Sequence, residues 1–335
     1  MPASTSVVVL NWDGGEMVQR CVASVLAQTV RPHEVLVVDN ASSDGSADAF
    51  ADHPDLRLLR LPHNTGFAGG MNAGIAATTG EALLLLNLDV ELEPDYLQRC
   101  RQSLDDDASL GGVTGKLLRF TDSESDRGGD LVLDSTGHRL YRNRRAVDRG
   151  EGEPDAGQYD TRLEVFGVGG AAPLLRRAML DDVRLGDEWF DADFFAYFED
   201  IDLCWRARLR GWRFGYAPAA VARHHRGGTG GRRVEAIEAG NHRNRLLMMV
   251  KDDALPSLVR HAGGIVLTEL RSAVHLGATR PRALLLAYTG LLRLLPRALA
   301  KRRRVQAGRT VGWRELERWF EPYDYLAVLC RAPQR

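Results

Sequence analysis

Lysine is nearly missing from this chain. Of its 44 basic residues only Lys116, Lys251 and Lys301 are lysines, so the positive charge is almost all arginine. Cysteine is scarce and dispersed. Cys21, Cys100, Cys204 and Cys330 contain no Cys-x-x-Cys pair, which excludes a zinc knuckle and a dithiol redox motif. No secretory signal precedes the first apolar run, and with separated cysteines this predicts a reducing, cytoplasmic setting. No uncharged apolar run reaches the roughly 18 residues that a membrane span wants. The formal net charge is −1, so composition gives no reason to expect nucleic acid as a partner. Internal repeats are absent.

The 335 residues can bury a large core, enough for one big α/β domain with additions or for two domains. The chain is organised around one run, Ala82-Leu83-Leu84-Leu85-Leu86-Asn87-Leu88-Asp89-Val90-Glu91. Its apolar start predicts a fully buried strand. Asn87 and Asp89 are two apart, so on an extended backbone they point to the same side. In open α/β sheets ligands bind at the carboxyl ends of strands. A carboxylate there can hold a hard divalent cation, which in turn holds a diphosphate. Taken alone, the pattern also fits a core strand followed by an acidic turn.

Strands are expected over Ser6 to Leu10, Val35 to Val38, Leu56 to Leu61 and Leu83 to Leu86, with helices from Glu16 to Gln28 and from the Gly66 region to about Thr79. Gly80 is expected to stop the second helix, and Ser43 or Asp44 to cap a short one. Regular strand–helix alternation means a parallel sheet with helices on its faces. Each polar loop follows a strand's C-terminal end, so Asp13, Asp39, Asp44, Asn64, Asn87 and Asp89 should converge on one rim. Pro94 to Leu104 reads as a helix. Residues 121 to 160 read as loop and hairpin around Leu131-Val132-Leu133. A helix opens at Glu199 and runs to Leu209, and a short strand spans Phe214 to Ala217. Beyond Gly240 the segments Asn241 to Val250, Leu255 to Gly277 and Pro281 to Arg304 all read as helices. The last is leucine-rich, carries Arg293 and Arg297, and ends in Lys301-Arg302-Arg303-Arg304. It fits an interfacial helix with a cationic edge, or a core-facing helix with a solvated basic end.

Asp200 is the sharpest single candidate for chemistry after Asp89. It stands at a helix start among Phe194, Phe195, Tyr197 and Phe198. Aromatic flanks desolvate a carboxylate, which is expected to raise its pKa and make it a better base near neutral pH. A capping role at the helix dipole is the simpler alternative. One of His224 and His225 could complete a metal site begun by Asp89, a mixed donor set that suits Mg²⁺ or Mn²⁺ holding a phosphate. The glycines at 66, 69 and 70 would let a ligand approach the backbone of a helix start, or would serve a close helix–sheet contact.

Taken together these motifs resemble the inverting glycosyltransferases of family two, and within them the bacterial rhamnosyltransferase-like branch. The matching stretches are Val7-Val8-Val9-Leu10-Asn11-Trp12, Val37-Val38-Asp39-Asn40-Ala41-Ser42-Ser43-Asp44-Gly45, Asn64-Thr65-Gly66-Phe67-Ala68-Gly69-Gly70-Met71-Asn72-Ala73-Gly74 and Leu85-Leu86-Asn87-Leu88-Asp89. They continue with Phe194-Phe195-Ala196-Tyr197-Phe198-Glu199-Asp200-Ile201-Asp202-Leu203 and His224-His225. Six motifs in register cover about residues 5 to 230. The resemblance implies an α/β glycosyltransferase type A fold, with a nucleotide-sugar-binding half at 1–118 and an acceptor-binding, catalytic half of the same domain at 119–235. A C-terminal helical region at 236–335 lies outside the match.

By the same resemblance Asn11 and Asp13 lie by the nucleotide, Asp39 reads the base with Asp44 nearby, and Gly66, Gly69, Gly70, Asn72 and Asn87 border the donor. Asp89 and His224 hold Mg²⁺ or Mn²⁺, and Asp200 is the catalytic base. Asn87 stands where the family's metal motif has its first Asp, which shifts metal binding onto Asp89 and the histidine. The implied donor is a dTDP- or UDP-sugar, with dTDP-L-rhamnose first, and the implied acceptor a glycan on a lipid carrier in cell-surface polysaccharide synthesis. The helix at 281–304 is then expected to touch an anionic membrane on its inner face, and removing the chain from residue 281 onward to release the enzyme from liposomes. Two rivals are a nucleotidyltransferase and a non-catalytic sugar-nucleotide or glycan-binding module. The first would carry a basic glycine loop after the first strand, where Asn11-Trp12-Asp13-Gly14-Gly15 has no Lys or Arg. The second would not need Asp89 and Asp200 together.

Overall fold

A computed structural model describes residues 4–120, 131–161, 163–225 and 234–324. The first half alternates as the sequence predicts: β1 (Thr5–Asn11), α1 (Gly15–Leu26), β2 (Glu34–Asp39), β3 (Arg57–Arg60), α2 (Gly66–Ala76) and β4 (Ala82–Asn87). β1 pairs in parallel with β2 on one side and β4 on the other, and β3 extends the sheet beyond β2. Both faces of β1 and β4 are buried, with alternate residues feeding two separate cores. Val8, Leu10, Leu83 and Leu85 face α2, while Val7, Val9, Leu84 and Leu86 face α1. Leucine and valine on both sides of a strand are what a parallel sheet covered on two faces requires.

The chain continues through β5 (Val90–Leu92), α3 (Tyr96–Asp106), β6 (Leu110–Arg119), β7 (Leu133–Ser135), β8 (His138–Tyr141), β9 (Ala146–Asp148), β10 (Glu164–Val165), β11 (Leu174–Arg176), α4 (Arg177–Asp182), α5 (Glu199–Leu209) and β12 (Arg213–His224). The main sheet runs β3-β2-β1-β4-β11-β6-β12-β10, with β5 on β12 and β7 on β6. The two halves of the α/β unit therefore share one continuous sheet. β6 was not foreseen, because Gly111, Gly112 and Gly115 erase its apolar pattern. Those glycines admit close neighbours: a Cβ at Gly115 would stand 2.3 Å from the Ala220 carbonyl oxygen. β12 is three times as long as the expected strand. Pro218 hides its continuation, and the register against β6 slips between Ala217 and Val221.

The last part holds α6 (Val234–Asp252), α7 (Leu255–Arg260), α8 (Ala262–Thr279), α9 (Pro281–Ala307), α10 (Trp313–Leu316) and β13 (Phe320–Glu321), the last strand pairing with β8 in a three-stranded sheet with β9. The helix expected from Leu255 to Gly277 breaks at His261, just before Gly263 and Gly264, both poor helix formers. Gly80 is not the stop of α2, which ends at Ala76. Its N–H instead donates to Ser6 Oγ at 2.8 Å. Neither Ser43 nor Asp44 caps the single turn at Asp48–Phe50, because both are held in the loop against Asp13 and Gly15.

α9 packs along α6, and its Leu294 and Ala298 belong to the main core. A buried charge cluster ties these helices to the rest. Lys251 on α6 pairs with Asp191 and Asp202, and Lys301 on α9 pairs with Asp191 and Asp193. Truncation at residue 281 would strip the core and leave these carboxylates short of partners, so it is no clean test of membrane contact. The basic end of α9 is also less free than the sequence suggests. Arg302 donates to the Val250 and Asp253 carbonyls, and Arg297 pairs with Asp193.

Candidate active site

β1 sits where the strand order reverses, since β2 lies to one side and β4 returns to the other. Crevices at such points receive ligands in open α/β sheets. The ladder brings the ends level: Asn11 stands opposite Asp39, and Leu10 opposite Asn87. The loops after β1 and β2 are fastened together. Asn11 Nδ2 donates to Ser42 Oγ at 3.1 Å and Ser46 Oγ at 2.9 Å, Asp13 Oδ1 accepts from Ser43 N at 2.6 Å, and Asp44 Oδ2 accepts from Gly15 N at 2.9 Å. Burial presses the Asp44 carboxyl upward, but the hydrogen bonds from Ser46 and Gly15 prevail and hold it below its ordinary value. Asp39 is buried, accepting from Ser42 N and from Arg60 Nη1.

Asn11 is wholly buried and acts as a brace within this rim. The α2 residues also do structural work. A Cβ at Gly70 would stand 2.4 Å from Leu10 Cδ1, one at Gly69 2.6 Å from Thr65 Cβ, and one at Gly66 (φ +73°) 2.3 Å from the Phe195 carbonyl oxygen. Of the three, only Gly70 makes the close helix–sheet contact expected as one reading; Gly69 meets Thr65 at its own helix start and Gly66 meets the Phe195 segment. Asn72 uses its whole amide on the chain, donating to Phe190 O and accepting from Trp189 N and Phe190 N.

Asp89 and His224 come together as expected, with Nε2 and Oδ1 3.3 Å apart. The opposite nitrogen, His224 Nδ1, lies 2.7 Å from Asp134 Oδ2. Burial disfavours the imidazolium, yet the hydrogen bonds to Asp134 and Asp89 outweigh it and push the pKa up to about 9. His225 is engaged elsewhere, with Nε2 3.2 Å from Glu91 and its ring edge-on to Phe120. The glycines that follow His225 in sequence lie outside the described residues. Among the described residues no group of three or more acids, histidines or cysteines could hold a metal ion by itself. Asp89 and His224 nevertheless fit one as a pair. A carboxylate and an imidazole suit Mg²⁺ or Mn²⁺, the Asp134 contact orients the ring as outer partners of metal-bound histidines do, and a diphosphate can fill other positions.

Asp200 lies on the first turn of α5. Its Oδ2 accepts from Gly170 N at 2.9 Å and sits 3.1 Å from His138 Nε2, and its Oδ1 accepts from Ile201 N at 2.8 Å. Behind it, His138 Nδ1 is 3.6 Å from Asp148 Oδ1. This corrects the expected rise in the Asp200 pKa. Burial does push it up, but His138 and the two N–H donors push harder, and the carboxyl ends below its ordinary value. The neighbouring Glu199 takes the opposite course: burial, then the Asp200 charge, raises it well above the carboxylate range. His138, Asp134 and Asp148 were not found from sequence, since they fall in the stretch read as loop and hairpin.

The segment leading to Asp200 is strained. Phe195, Tyr197 and Phe198 have φ of 66°, 71° and 71°, a region that costs on the order of 1–3 kcal/mol for such residues. Burial first, then the charges of Glu199 and Asp89, raise the Tyr197 phenol above its ordinary value.

A Rossmann-like sheet with an acidic rim at its reversal point, extended by a second half that delivers a carboxylate to that rim, is the type A fold of glycosyltransferases. The sequence model of glycosyl transferase family 2 matches residues 6–179, more than half of the chain, and the chain belongs to that family. It is similar to the N-acetylglucosaminyl-diphospho-decaprenol L-rhamnosyltransferase of Mycobacterium tuberculosis, at 28% identity over 274 residues, covering 72% of this chain and 83% of the relative. Among solved structures it resembles GalNAc-T7 with UDP, GalNAc and Mn²⁺ (TM-score 0.55, 13% identity, 74% of this chain), spanning only about half (48%) of that chain. It also resembles the mannosyltransferase PcManGT of Pyrobaculum calidifontis in complex with GDP-Man and Mn²⁺ (TM-score 0.51, 18% identity), covering 92% of this chain and 86% of that one.

Proposed function

We propose that the protein is an inverting, metal-dependent sugar transferase that moves L-rhamnose from dTDP-L-rhamnose to a hydroxyl of a lipid-linked glycan in cell-surface polysaccharide synthesis. The observation that carries this reading is the pairing of Asp89 with His224 at the rim, with Asp200 bonded to Gly170 N next to Ala171, whose carbonyl accepts from Asn87 N at the end of β4. The sugar and acceptor rest on the mycobacterial relative named above. Residues 1–118 would bind the donor nucleotide, with Asp39, Asp13 and Asp44 at its base and ribose. Residues 119–235 would bind the acceptor, and 236–335 would support that half.

In this mechanism Asp200 takes the proton of an acceptor hydroxyl. The freed oxygen attacks the anomeric carbon from the face opposite the diphosphate, the bond to the diphosphate breaks, and the configuration inverts. Asp89 and His224 would hold the divalent ion, whose positive charge stabilises a departing diphosphate. His138 keeps Asp200 ionised and fixes its orientation.

Thermal shift with nucleotide sugars tests the donor side. A ligand at 100 times its Kd stabilises a fold by about 2.7 kcal/mol. dTDP-L-rhamnose with Mn²⁺ or Mg²⁺ should raise Tm, EDTA should abolish most of that rise, and Asp89→Ala should behave like EDTA. A rise of equal size in EDTA would overturn the metal assignment.

We further infer a peripheral cytoplasmic membrane contact through α9. By length and composition α9 could cross a membrane, more than the sequence reading allowed, but its inner face is part of the protein core. Leu285, Leu292 and Leu299 lie exposed along its outer face, and Val266, Leu270 and Val274 along that of α8. From 255 to 304 the single acid is Glu269, which His242, Arg245 and Tyr288 occupy, whereas Arg293 and Arg303 are exposed. Each buried leucine is worth about 1.5–3 kcal/mol. The double change Leu285→Asp, Leu292→Asp should therefore lower binding to phosphatidylglycerol liposomes at least tenfold, with turnover on a short-chain soluble acceptor unchanged. Wild-type liposome binding by that variant would remove α9 from the membrane.

A further inference from the structure

The strained aromatic segment before Asp200 is held by more contacts than presenting one carboxylate needs. Asn244 on α6 is fully buried. Its Nδ2 lies within hydrogen-bond distance of three carbonyls of the segment, Phe194 O at 2.9 Å, Ala196 O at 3.0 Å and Tyr197 O at 2.8 Å. Arg243 Nε fixes the amide's orientation by donating to Asn244 Oδ1 at 2.9 Å, and Arg243 Nη2 reaches Phe194 O at 3.2 Å. From the other side Ala68 N donates to Phe195 O at 3.1 Å, and Gly66 leaves the space that this carbonyl occupies.

Yet the rings so positioned are not hidden. Phe195 is 50% and Tyr197 44% exposed, in a protein that buries Phe190, Phe194 and Phe214 completely or nearly so. Large aromatic side chains held outward on backbone of unfavourable φ are kept for contact with something else. They stand five and three residues before Asp200, in the segment that leads into its helix.

We propose that Phe195 and Tyr197 form a platform for a pyranose ring of the acceptor, with Asn244 as the positioning residue. This rests on the sugar-transfer reading above. A pyranose carries a patch of C–H groups on one face and hydroxyls at its edge. The apolar patch packs on an aromatic ring, and the edge is left free to present a hydroxyl to the base. The platform also gives α6, outside the matched family region, a place in acceptor recognition.

The test uses the full-length enzyme, dTDP-L-rhamnose, and N-acetylglucosamine on a short prenyl diphosphate as acceptor probe, with hydrolysis of the donor in water followed in parallel. Phe195→Ala and Tyr197→Ala should each raise acceptor KM about tenfold or more, the range for losing an apolar contact. Donor KM and donor hydrolysis should stay at wild-type values, and Tyr197→Phe should keep most of the acceptor affinity. Asn244→Asp, which replaces the donating amide with a carboxylate, should raise acceptor KM and lower kcat of transfer while donor KM holds. Acceptor KM within about twofold of wild type in both alanine variants overturns the platform. So does a parallel loss of donor hydrolysis, which would assign the rings to the donor, or a loss of liposome binding alone, which would assign them to lipid. A wild-type enzyme that neither hydrolyses nor transfers from the donor overturns the sugar-transfer reading itself.

Discussion

Asp200→Asn should lower kcat of transfer by roughly 10²–10⁴-fold, the range attributed to a positioned general base. Donor affinity, read by the metal-dependent thermal shift, should be unchanged, because the polar partners of Asp200 among the described residues are His138, Gly170 and Ile201. The replacement is nearly isosteric; its single amide oxygen can keep one of the two acceptor roles, towards Gly170 N or Ile201 N, while its NH2 group takes the place of the other oxygen. The pH profile adds a second reading. Since His138 holds the Asp200 carboxyl below its ordinary value, the base is ionised throughout the neutral range. The acid limb of kcat/KM should therefore fall at or below about pH 4, the usual range for Asp. His138→Gln removes the positive partner while burial remains, so it should move that limb to higher pH. Near wild-type kcat in Asp200→Asn would show that another group takes the proton.

Lys251→Met should be the most destabilising single change proposed for this protein. Lys251 is 1% exposed and pairs with Asp191 and Asp202, themselves 3% and 0% exposed. Asp252 beside them is raised well above its ordinary value, by burial and then by Asp202, and so is kept neutral. Removing one partner of a buried ion pair typically costs about 3–5 kcal/mol. Lys301 and Arg206 still contact Asp191 and Asp202, which keeps the loss within that range. For a chain of this length a fall in Tm of about 4–7 °C is expected. Burial presses the Asp191 carboxyl upward, but Lys251 and Lys301 pull it far below its ordinary value. That contribution is complete above the unfolded pKa of about 4 and is lost as pH falls further. The stability gap between Lys251→Met and wild type should therefore be full at pH 7 and narrow below about pH 4. A Tm change under about 2 °C would show that the cluster contributes little to the fold.

The sequence was most informative where meaning is local. Buried runs such as Val7–Leu10 and Leu83–Leu86 read as strands because both their faces are apolar, and the loops behind them carried the motifs of the rim. It was least informative where a residue's partner is distant in the chain. His138 matters through Asp200, 62 positions on, and Asp134 through His224, 90 positions on. Asn244 acts on carbonyls 47 to 50 positions earlier, and nothing in its own helix marks it. β6 and β12 were missed or cut short for a different reason: glycine and proline, placed there by close neighbours and a register slip, look like loop. The Asp200 pKa was misjudged because aromatic neighbours are visible in sequence and a histidine folded in from another strand is not.

The charge cluster at Lys301 also bears on how the protein is made. Asp191 and Asp193 leave the ribosome about a hundred residues before the lysine of α9 that neutralises them, an interval of roughly 5–20 s at ordinary elongation rates. Until then the aromatic segment and its base have only the α6 half of their support. A nascent chain stalled before residue 301 would hold acidic groups that cannot be buried, and would be poorly packed beside Leu294 and Ala298. Sugar transfer is in this sense a late event of synthesis, and translation products that stop short of Lys301 should be inactive and readily degraded.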